Sequence, residues 1–282
     1  MAIILYNPKA KNTQTHQHVK NMRTNLLKRF SEVTLIDITQ EDDLKARLSS
    51  LKADDYVVLM GGDGTIHHFV NQVYDLFPLP FPIHLSPMGS GNDFYRTLKK
   101  YQAPTQLFQM TLHGTPHYFV NGMGIGIDGE IGIHVNKDPK KRKSTYLKET
   151  FKALIRYIPE TVHVEIDGHP YTFHKAYLVV GSNGQYFGSG MRIAPHANPE
   201  DQSLEIVIAH NISRLKILLI FLTIYLGQHT RFKKHIFTAK GSSLTVTFET
   251  PKVAQMDGEC FENIKTLTVG VAEKKAAFRM FR

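Results

Sequence analysis

The feature that most constrains the fold is a short apolar run that ends in two glycines. Residues 56–60 are five consecutive apolar residues followed by Gly61 and Gly62, a pattern typical of a parallel strand buried on both faces. Beyond the glycines, apolar residues recur between Ile66 and Phe77 at the spacing of an amphipathic helix. A buried strand, a glycine turn and a helix in this order predict a parallel sheet covered by helices.

The same alternation of strand and helix patterns runs through the first 117 residues. In chain order, the further strand and helix patterns lie at residues 2–6, 13–30, 33–38, 41–51 and 83–85. Strands that alternate with helices are joined by crossover connections and therefore lie parallel. The sequence predicts a three-layer α/β domain over residues 1–117.

The pattern changes after residue 117, where strand-like runs follow one another. Asp167-Gly168 lies between two alternating runs and is typical of a tight hairpin. Helical patterns interrupt the strands at residues 146–158 and 215–226, and the second is apolar nearly all round. Residues 118–271 are therefore predicted to form a mainly antiparallel β domain with inserted helices. The predicted fold class is α/β plus mainly β.

Composition narrows the class of protein and of partner. The 34 Lys and Arg residues exceed the 25 Asp and Glu residues, and the net charge of +9 favours anionic partners. No recognition helix or RNA-binding strand pattern accompanies this charge, so we expect no nucleic-acid partner. The single cysteine, Cys260, excludes an intramolecular disulfide. The longest apolar run, residues 217–226, is about half of what spans a bilayer, and we expect a soluble cytoplasmic protein.

The most informative motif is Gly61-Gly62-Asp63-Gly64-Thr65, between the buried strand and the helix. Glycines allow the backbone to approach a ligand closely, and the start of the helix offers N–H groups and a positive dipole end to a phosphate. A carboxylate there would repel a bare phosphate, so Asp63 points to a Mg²⁺ ion or a ribose between the two. The alternative is an ordinary turn in which Asp63 or Thr65 caps the helix.

A second glycine-rich turn, residues 87–94, follows the next predicted strand. Two such loops side by side at the carboxyl edge of a parallel sheet form a crevice in which ligands bind. In this loop Ser90 is a candidate for binding phosphate, and Asn92 and Asp93 are candidates for binding phosphate or metal. Taken alone, the loop is equally typical of an Asx turn.

These residues and four further segments resemble the diacylglycerol kinase catalytic-domain family, especially its small bacterial lipid kinases. The resemblance covers essentially the whole chain and is specific for the superfamily, although sphingosine-type kinases share most of the motifs. The segments that carry it are residues 7–8, 61–65, 87–93, 119–128, 182–191 and 257–259.

The resemblance implies that a nucleotide-binding α/β domain precedes a β-sandwich domain, with ATP and Mg²⁺ in the cleft between them. It also implies that the C-terminal segment, about residues 272–282, packs back on the first domain. Asp63 is expected to act in catalysis as well as in binding. The expected ATP-site residues are Asn7, Pro8, Lys9, Ala10, Lys11, Thr39, Gly61, Gly62, Asp63, Gly64, Thr65, Ile66, His67, His68, Ser90, Asn92 and Asp93.

Asp257 and Glu259 are the residues that the resemblance implies as the general base for the acceptor hydroxyl. They follow the short strand pattern of residues 253–256, so strand alternation predicts that both carboxylates point to one side. Two like charges held close together raise the pKa of one of them, which suits a group that accepts a proton near neutral pH. The alternative is a hairpin turn, because Asp-Gly is also a common turn dipeptide.

The family also has a second Mg²⁺ site, which the resemblance places at Asp201 and the carbonyl groups of Asn198 and Ser203. The sequence departs from the family here, because Gln202 stands where a glycine is usual. It departs again after the Gly61–Thr65 motif, where His67 and His68 replace the usual Asn and Glu.

The activity that the resemblance implies is ATP-dependent phosphorylation of diacylglycerol to phosphatidic acid. Alternatives are the same chemistry on a sphingoid base or on a dinucleotide, and a catalytically weak nucleotide- or membrane-binding module. Gly124, Gly126 and Gly129 also match a dinucleotide-binding fingerprint, but the sequence predicts no helix at the third glycine.

Basic residues in the second half favour docking on an anionic membrane. Each Lys or Arg near such a surface contributes roughly 1 kcal/mol, although a run of this kind is equally typical of a solvated face. We expect a lipid substrate at the inner face of the membrane, peripheral association, and a protein that is compatible with a homodimer. The basic residues are Lys137, Lys140, Lys141, Arg142, Lys143, Arg231, Lys233 and Lys234.

Overall fold

The computed structural model describes residues 1–8, 15–40, 43–89, 91–101, 103–137 and 143–281. The strands are β1 (Ala2–Tyr6), β2 (Val33–Asp37), β3 (Tyr56–Gly61), β4 (Ile83–Pro87), β5 (Thr105–Leu112), β6 (Thr115–Phe119), β7 (Gly122–Gly126), β8 (Glu160–Ile166), β9 (His169–Ala176), β10 (Leu178–Ser182), β11 (Leu204–Ala209), β12 (Ile236–Gly241), β13 (Ser243–Met256), β14 (Glu259–Ala276) and β15 (Phe278–Met280). The helices are α1 (Thr15–Leu26), α2 (Leu44–Ser49), α3 (Asp63–Val73), α4 (Asp93–Leu98), α5 (Ile127–Asn136), α6 (Lys143–Arg156) and α7 (Arg214–Thr223).

The first sheet is parallel and has the strand order β15-β4-β3-β1-β2. Alternate residues of β1 face opposite sides of this sheet: Ile3 and Leu5 belong to the core that contains α3, and Ala2 and Ile4 belong to the core that contains α1. Both faces are therefore covered, which explains why β1 and β3 are continuously apolar. This arrangement confirms the predicted three-layer α/β domain.

The second sheet is antiparallel and has ten strands, in the order β12-β11-β10-β7-β13-β14-β5-β6, with β8 and β9 branching from β13. Its inward-facing residues form one core that includes Phe108, Val164, Ile206 and Val246. A separate apolar cluster joins the sheet to α5, α6 and α7. The predicted β-sandwich domain with inserted helices is confirmed.

The chain enters the second sheet at Thr105, earlier than the boundary predicted after residue 117. The β5–β6 hairpin pairs with β14 through β5, and hydrogen bonding to that distant strand leaves no mark in the local sequence. At the other end of the chain, β15 pairs with β4 in the first sheet. The first sheet therefore contains strands from both ends of the chain.

Two local predictions in the second domain are wrong. α5 begins at Ile127, directly after β7, where the sequence predicts no helix. Its segment contains glycine and β-branched residues, which are weak helix formers, but Ile127, Ile131 and Val135 pack into the cluster beneath α6 and α7. The strand-like run of residues 171–181 predicts a single strand, but it forms parts of β9 and β10, because β9 pairs with β8, whereas β10 pairs with β7 and β11.

Candidate active site between the two domains

The carboxyl ends of the parallel strands bring several predicted segments to one edge of the first sheet. Asn7 follows β1, Thr39 follows β2, Gly61 ends β3 and Pro87 ends β4. Because these four strands are neighbours, their ends form the kind of continuous edge at which ligands bind in open parallel sheets. The predicted residues Lys9, Ala10, Lys11 and Ser90 lie outside the described residues.

The glycine turn after β3 leaves the first turn of α3 open to the cleft. α3 begins at Asp63, and its N-cap residue, Gly62, makes no side-chain capping bond. Thr65 is buried, and a β-carbon on Gly61 would lie only 2.3 Å from its side chain. The start of α3 therefore offers backbone N–H groups and a positive dipole end, the arrangement that binds phosphate.

The two glycine-rich loops touch at a glycine in each. A β-carbon on Gly62 would lie 2.9 Å from Cα of Gly89, and one on Gly89 would lie 2.7 Å from Cα of Gly62. Real β-carbons do not approach backbone atoms so closely. Both positions therefore require glycine for the loops to pack together.

Asp63 and Asp93 join these loops through buried carboxylates. Oδ2 of Asp63 accepts the N–H of Asp93 at 3.0 Å, and Oδ1 accepts the N–H of Phe94 at 3.0 Å. Asp63 thus binds the first turn of α4 and does not cap its own helix. Asp93 in turn accepts hydrogen bonds from Arg96 at 2.8 Å and from the N–H of Ser189 at 2.8 Å.

The two carboxylates are close enough to affect each other's protonation. Burial raises the pKa of Asp63, and burial together with the neighbouring charge of Asp63 raises the pKa of Asp93 to about 7. A β-carbon on Gly91 would lie 3.1 Å from Oδ2 of Asp63 and 3.5 Å from Oδ2 of Asp93. Two buried carboxylates so close together favour a cation beside them, and the guanidinium group of Arg96 already lies 2.8 Å from Oδ1 of Asp93.

Asp257 lies in a hairpin turn, and its carboxylate is buried. Asp257 and Gly258 connect β13 to β14 and have φ angles of 50° and 96°. The carboxylate accepts backbone N–H groups of Val120, Asn121 and Gly122 at 2.9–3.0 Å. Strand alternation is therefore not what orients the pair, because Asp257 belongs to the turn and not to the strand, yet both carboxylates reach adjacent histidines of α3.

Glu259 occupies a different environment two residues later. Its side chain is 45% exposed, and its Oε1 lies 3.5 Å from Nε2 of His68. A β-carbon on Gly64 would lie 3.9 Å from the same oxygen, which places Glu259 over the first turn of α3. Its hydrogen bond with His68 raises the pKa of that histidine.

The adjacent histidines His67 and His68 contact the two carboxylates of residues 257–259. His67 is buried, with Nδ1 3.5 Å from Oδ2 of Asp257, whereas His68 faces Glu259. One turn later, Asn71 donates to the carbonyl of Tyr118 at 2.8 Å and accepts its N–H at 2.9 Å. α3 therefore contacts the second domain through three of its side chains.

Several predicted site residues have other contacts in the structure. Ile66 is buried in the apolar core of the first domain, so its side chain does not face the cleft. Thr39 donates its N–H and its hydroxyl to Asp37, at 2.9 and 2.8 Å. Asn92 bonds Gly89 through both its amide oxygen and its amide nitrogen, which shapes the second loop.

Two site residues were not singled out in the sequence, Arg96 and Ser189. Arg96 contacts Asp93 and the carbonyl of Gly91. It lies three residues after Asp93 on a short helix, and this spacing is a signal that could have found it. Ser189 comes from a distant part of the chain and donates its backbone N–H, which no side-chain pattern could reveal.

The residues predicted for a second metal site do not fit a divalent cation as they are arranged. Oδ2 of Asp201 lies 3.1 Å from the ammonium group of Lys240. Oδ1 of Asp201 accepts the N–H and the hydroxyl of Ser203, both at 2.9 Å, and the carbonyl of Asn198 accepts the N–H of Asp201 at 3.2 Å. Lys240 thus already supplies the positive charge beside this carboxylate.

An apolar pocket lies in the second domain. Side chains of α5, α6 and α7 form one part of its wall, and residues of β10 and β11 form another. Asp128 is among the residues that line this pocket, and burial raises the pKa of its carboxyl group to about 7.

A chain of hydrogen bonds connects the pocket to residues 257–259, which we call the acid turn. The side-chain amide of Gln255 donates to Oδ2 of Asp128 at 2.8 Å. The amide oxygen of Gln255 accepts the N–H of Gly258 at 3.0 Å. The turn that carries Asp257 and Glu259 is therefore bonded to the pocket wall on one side and contacts α3 on the other.

Comparison with protein families agrees with this two-domain arrangement. Residues 1–119 match the Diacylglycerol kinase catalytic domain, and residues 121–272 match the YegS C-terminal NAD kinase beta sandwich-like domain. The chain belongs to the diacylglycerol kinase catalytic-domain family. Its second domain is of the YegS type, and the two matches cover nearly the whole chain.

Individual relatives are distant in sequence. YtlR of Bacillus subtilis is 28% identical over 204 residues, which are 62% of this chain and 64% of that protein. The diacylglycerol kinase of Mycobacterium tuberculosis is 26% identical over 196 residues, 63% of this chain and 62% of that protein. These matches therefore span less than two thirds of the relatives' own length.

Solved structures share the fold over almost the entire chain. A diacylglycerol kinase structure from Bacillus anthracis str. Sterne has a TM-score of 0.69 at 19% identity, covering 99% of this chain and 96% of its own. A second structure from the same organism has a TM-score of 0.76 at 21% identity, covering 99% of this chain and 95% of its own. At this identity the likeness shows the fold alone.

Proposed function

We propose that this protein is an ATP- and Mg²⁺-dependent lipid kinase that transfers the γ-phosphoryl group of ATP to the hydroxyl of diacylglycerol. The observation that carries the proposal is the position of the acid turn. Its Glu259 stands over the phosphate-binding end of α3, and the same turn is bonded through Gln255 to an apolar pocket. A phosphate donor and an apolar acceptor could thus meet at one carboxylate.

The first domain would hold the nucleotide. The open N-terminus of α3 and the contact between Gly62 and Gly89 provide a surface that phosphate can approach closely. Asn7 and Thr39 lie along the same sheet edge, where the rest of the nucleotide would extend. The diacylglycerol kinase named among the relatives supports this donor chemistry.

A Mg²⁺ ion that arrives with the nucleotide would lie beside Asp63 and Asp93, whose four carboxylate oxygens already accept hydrogen bonds from protein groups. Mg²⁺ is usually held by one or two carboxylates together with phosphate oxygens. The described residues contain no cluster of three or more His, Cys, Asp or Glu side chains that could hold a metal, so phosphate oxygens would complete the ligand set. When bound, Mg²⁺ neutralises negative charge on the phosphoryl group being transferred.

Glu259 is the better placed of the two predicted bases. Both oxygens of Asp257 already accept backbone N–H groups, whereas Glu259 is half-exposed beside the Gly61–Thr65 motif. In the proposed step the acceptor oxygen attacks the γ-phosphorus, the bond to ADP breaks, and the hydroxyl proton passes to Glu259. Asp257 then serves to position the turn.

The apolar pocket would take the acyl chains of the acceptor. Burying each methylene contributes roughly 0.8 kcal/mol, so a pocket of this kind binds lipids without a polar contact to every atom. A sphingoid base is the second candidate, because it also carries a hydroxyl group on a long apolar chain that suits an apolar pocket. The setting we propose is the inner face of the cytoplasmic membrane.

The test is to identify the phosphorylated product. The purified chain is incubated with ATP, Mg²⁺ and detergent-dispersed diacylglycerol, sphingoid base or NAD, and products are analysed by mass spectrometry. We expect phosphatidic acid from the wild type and at most about 1% of that rate from Glu259→Gln. If only the sphingoid base or only the dinucleotide is phosphorylated, that compound is the acceptor and diacylglycerol is not. If no acceptor is phosphorylated, the proposal is overturned.

A further inference from the structure

α7 has two apolar faces, of which only one is covered. Ile217, Ile220 and Phe221 face inward and line the apolar pocket. On the opposite face, four leucines at positions 215, 219, 222 and 226 are 71%, 60%, 57% and 68% exposed. Their spacing continues one helical stripe from α7 into the 3₁₀ turn that follows it. A helix that is apolar all round is normally buried on all sides.

The charged residues that flank this stripe along the chain are of one sign. Residues 206–248 contain six Lys and Arg residues and no Asp or Glu residue. All six are exposed; five of them lie near the start of the stripe or shortly after its end along the chain, and the sixth, Lys240, is paired with Asp201. The five are Arg214, Lys216, Arg231, Lys233 and Lys234.

The neighbouring helix extends the apolar surface. α6 packs against α7, with the rings of Phe151 and Phe221 5.8 Å apart. Ile155 and Ile158, at the end of α6, are 56% and 75% exposed. In the described residues no helix is long and apolar enough to cross a membrane.

We propose that the outer stripe of α7, Leu215, Leu219, Leu222 and Leu226, inserts into the interface of an anionic lipid bilayer while the flanking cations contact the headgroups. The proposal deepens the proposed function, on which it rests for the reason a lipid would be needed. An apolar helix face bordered by Lys and Arg is the pattern of a helix that lies in a membrane surface. The inward face of the same helix lines the pocket, so an acyl chain leaving the bilayer would have a short path into it.

The charge also argues against a second copy of this chain as the occupant. A two-fold dimer places the same patch of both copies face to face. Cations at both ends of the stripe would then meet one another, and this repulsion opposes association. An anionic surface has the complementary sign.

The experiment measures binding to vesicles in the absence of ATP and diacylglycerol. Vesicles of phosphatidylcholine with 30% phosphatidylglycerol are sedimented with wild type and with the variant Leu219→Asn/Leu222→Asn. The matched control is Leu27→Asn/Leu35→Asn, which alters two leucines of the first domain that are 46% and 40% exposed. We expect at least a tenfold loss of binding for the α7 variant and no loss for the control.

A charge variant tests the second half of the proposal. Lys233→Glu/Lys234→Glu should weaken vesicle binding severalfold, and wild-type binding should fall as salt is raised to physiological strength, because the Debye length then shrinks to about 8 Å. Equal binding by wild type and the α7 variant would overturn the proposal. A shift from dimer to monomer in the α7 variant, measured by light scattering, would also overturn it and would assign the stripe to a dimer interface.

Kinase assays on detergent-dispersed lipid separate this proposal from the proposed function. The α7 variant should keep its activity there within about twofold, because none of its substituted residues lines the pocket. If the wild type is active on dispersed lipid but does not bind vesicles, the proposed membrane-docking role of α7 is wrong and the proposed kinase function still stands. If vesicle binding requires the stripe but no phosphorylated product forms, the docking role stands and the proposed kinase function is wrong.

Discussion

Two histidine–carboxylate pairs lie side by side between α3 and the acid turn, and they differ mainly in exposure. His67 and Asp257 are 7% and 2% exposed, whereas His68 and Glu259 are 59% and 45% exposed. The nitrogen–oxygen distance is 3.5 Å in both pairs. The buried carboxylate accepts hydrogen bonds from three backbone N–H groups, and the exposed one lies over the Gly61–Thr65 motif. The comparison indicates that burial commits Asp257 to binding the backbone of residues 120–122, and it is the basis on which we propose the chemical role for Glu259.

The largest expected effect comes from the exposed carboxylate. Glu259→Gln should lower kcat about 1,000-fold, within the range for loss of a general base, while the KM for ATP and the melting temperature stay close to wild type. Steady-state kinetics and calorimetry check both statements. Wild-type turnover in this variant would contradict the chemical assignment of the exposed pair.

Asp63 should have the next largest effect, although it is buried. Asp63→Asn should lower kcat/KM about 100-fold, a loss of ~2.7 kcal/mol in transition-state stabilisation, because it removes a carboxylate from the phosphate loop. Raising the Mg²⁺ concentration should recover part of the activity if metal binding is weakened. Full activity at low Mg²⁺ would show that the buried carboxylate serves only to bind the start of α4.

Replacing Asp257, the buried carboxylate, should lower the free energy of unfolding. Asp257→Asn places an amide group among three N–H donors, so at least one donor loses its acceptor, and we expect a loss of about 1–3 kcal/mol in unfolding free energy. Chemical denaturation measures it, with Glu259→Gln as the matched control. Equal unfolding free energies of the two variants would contradict the structural role that we assign to Asp257 and not to Glu259.

The contact between the glycine loops should matter at two positions and not at a third. Gly62→Ala and Gly89→Ala force a β-carbon against backbone and should each lower stability by about 1–3 kcal/mol. Gly64 lies in the same motif, but a β-carbon there is 3.9 Å from its nearest neighbour. Gly64→Ala should therefore melt like wild type, and a similar loss at all three positions would point to a general cause.

The smallest effect concerns the titration of His68. Its pKa is raised by Glu259, so stability from this pair is fully present below the ordinary pKa near 6.5. It is lost as the pH rises through the raised value in the folded protein. The exposed pair should contribute less than about 1 kcal/mol. In an NMR titration, Glu259→Gln should lower the pKa of His68, and an unchanged pKa would contradict the contact.

Much of the first domain is predictable because its signals are local. The apolar run before Gly61 and the helical spacing after Asp63 are continuous in sequence, and β3 and α3 form where those patterns predict them. The Gly61–Thr65 motif likewise marks the start of a helix. Alternation could not predict the orientation of Asp257, because the positive φ of the hairpin turn interrupts the strand.

The sequence alone determined the order of strands and helices, the glycines at the ends of β3 and β4, and the family to which these segments point. Those features rest on spacing within a few residues. Only the tertiary structure decided that His67 meets Asp257, that Lys240 stands beside Asp201, and that α7 covers a pocket with one face and exposes the other. Each of these depends on residues from distant parts of the chain, where hydrogen bonding and burial between elements, rather than local propensity, set the contacts.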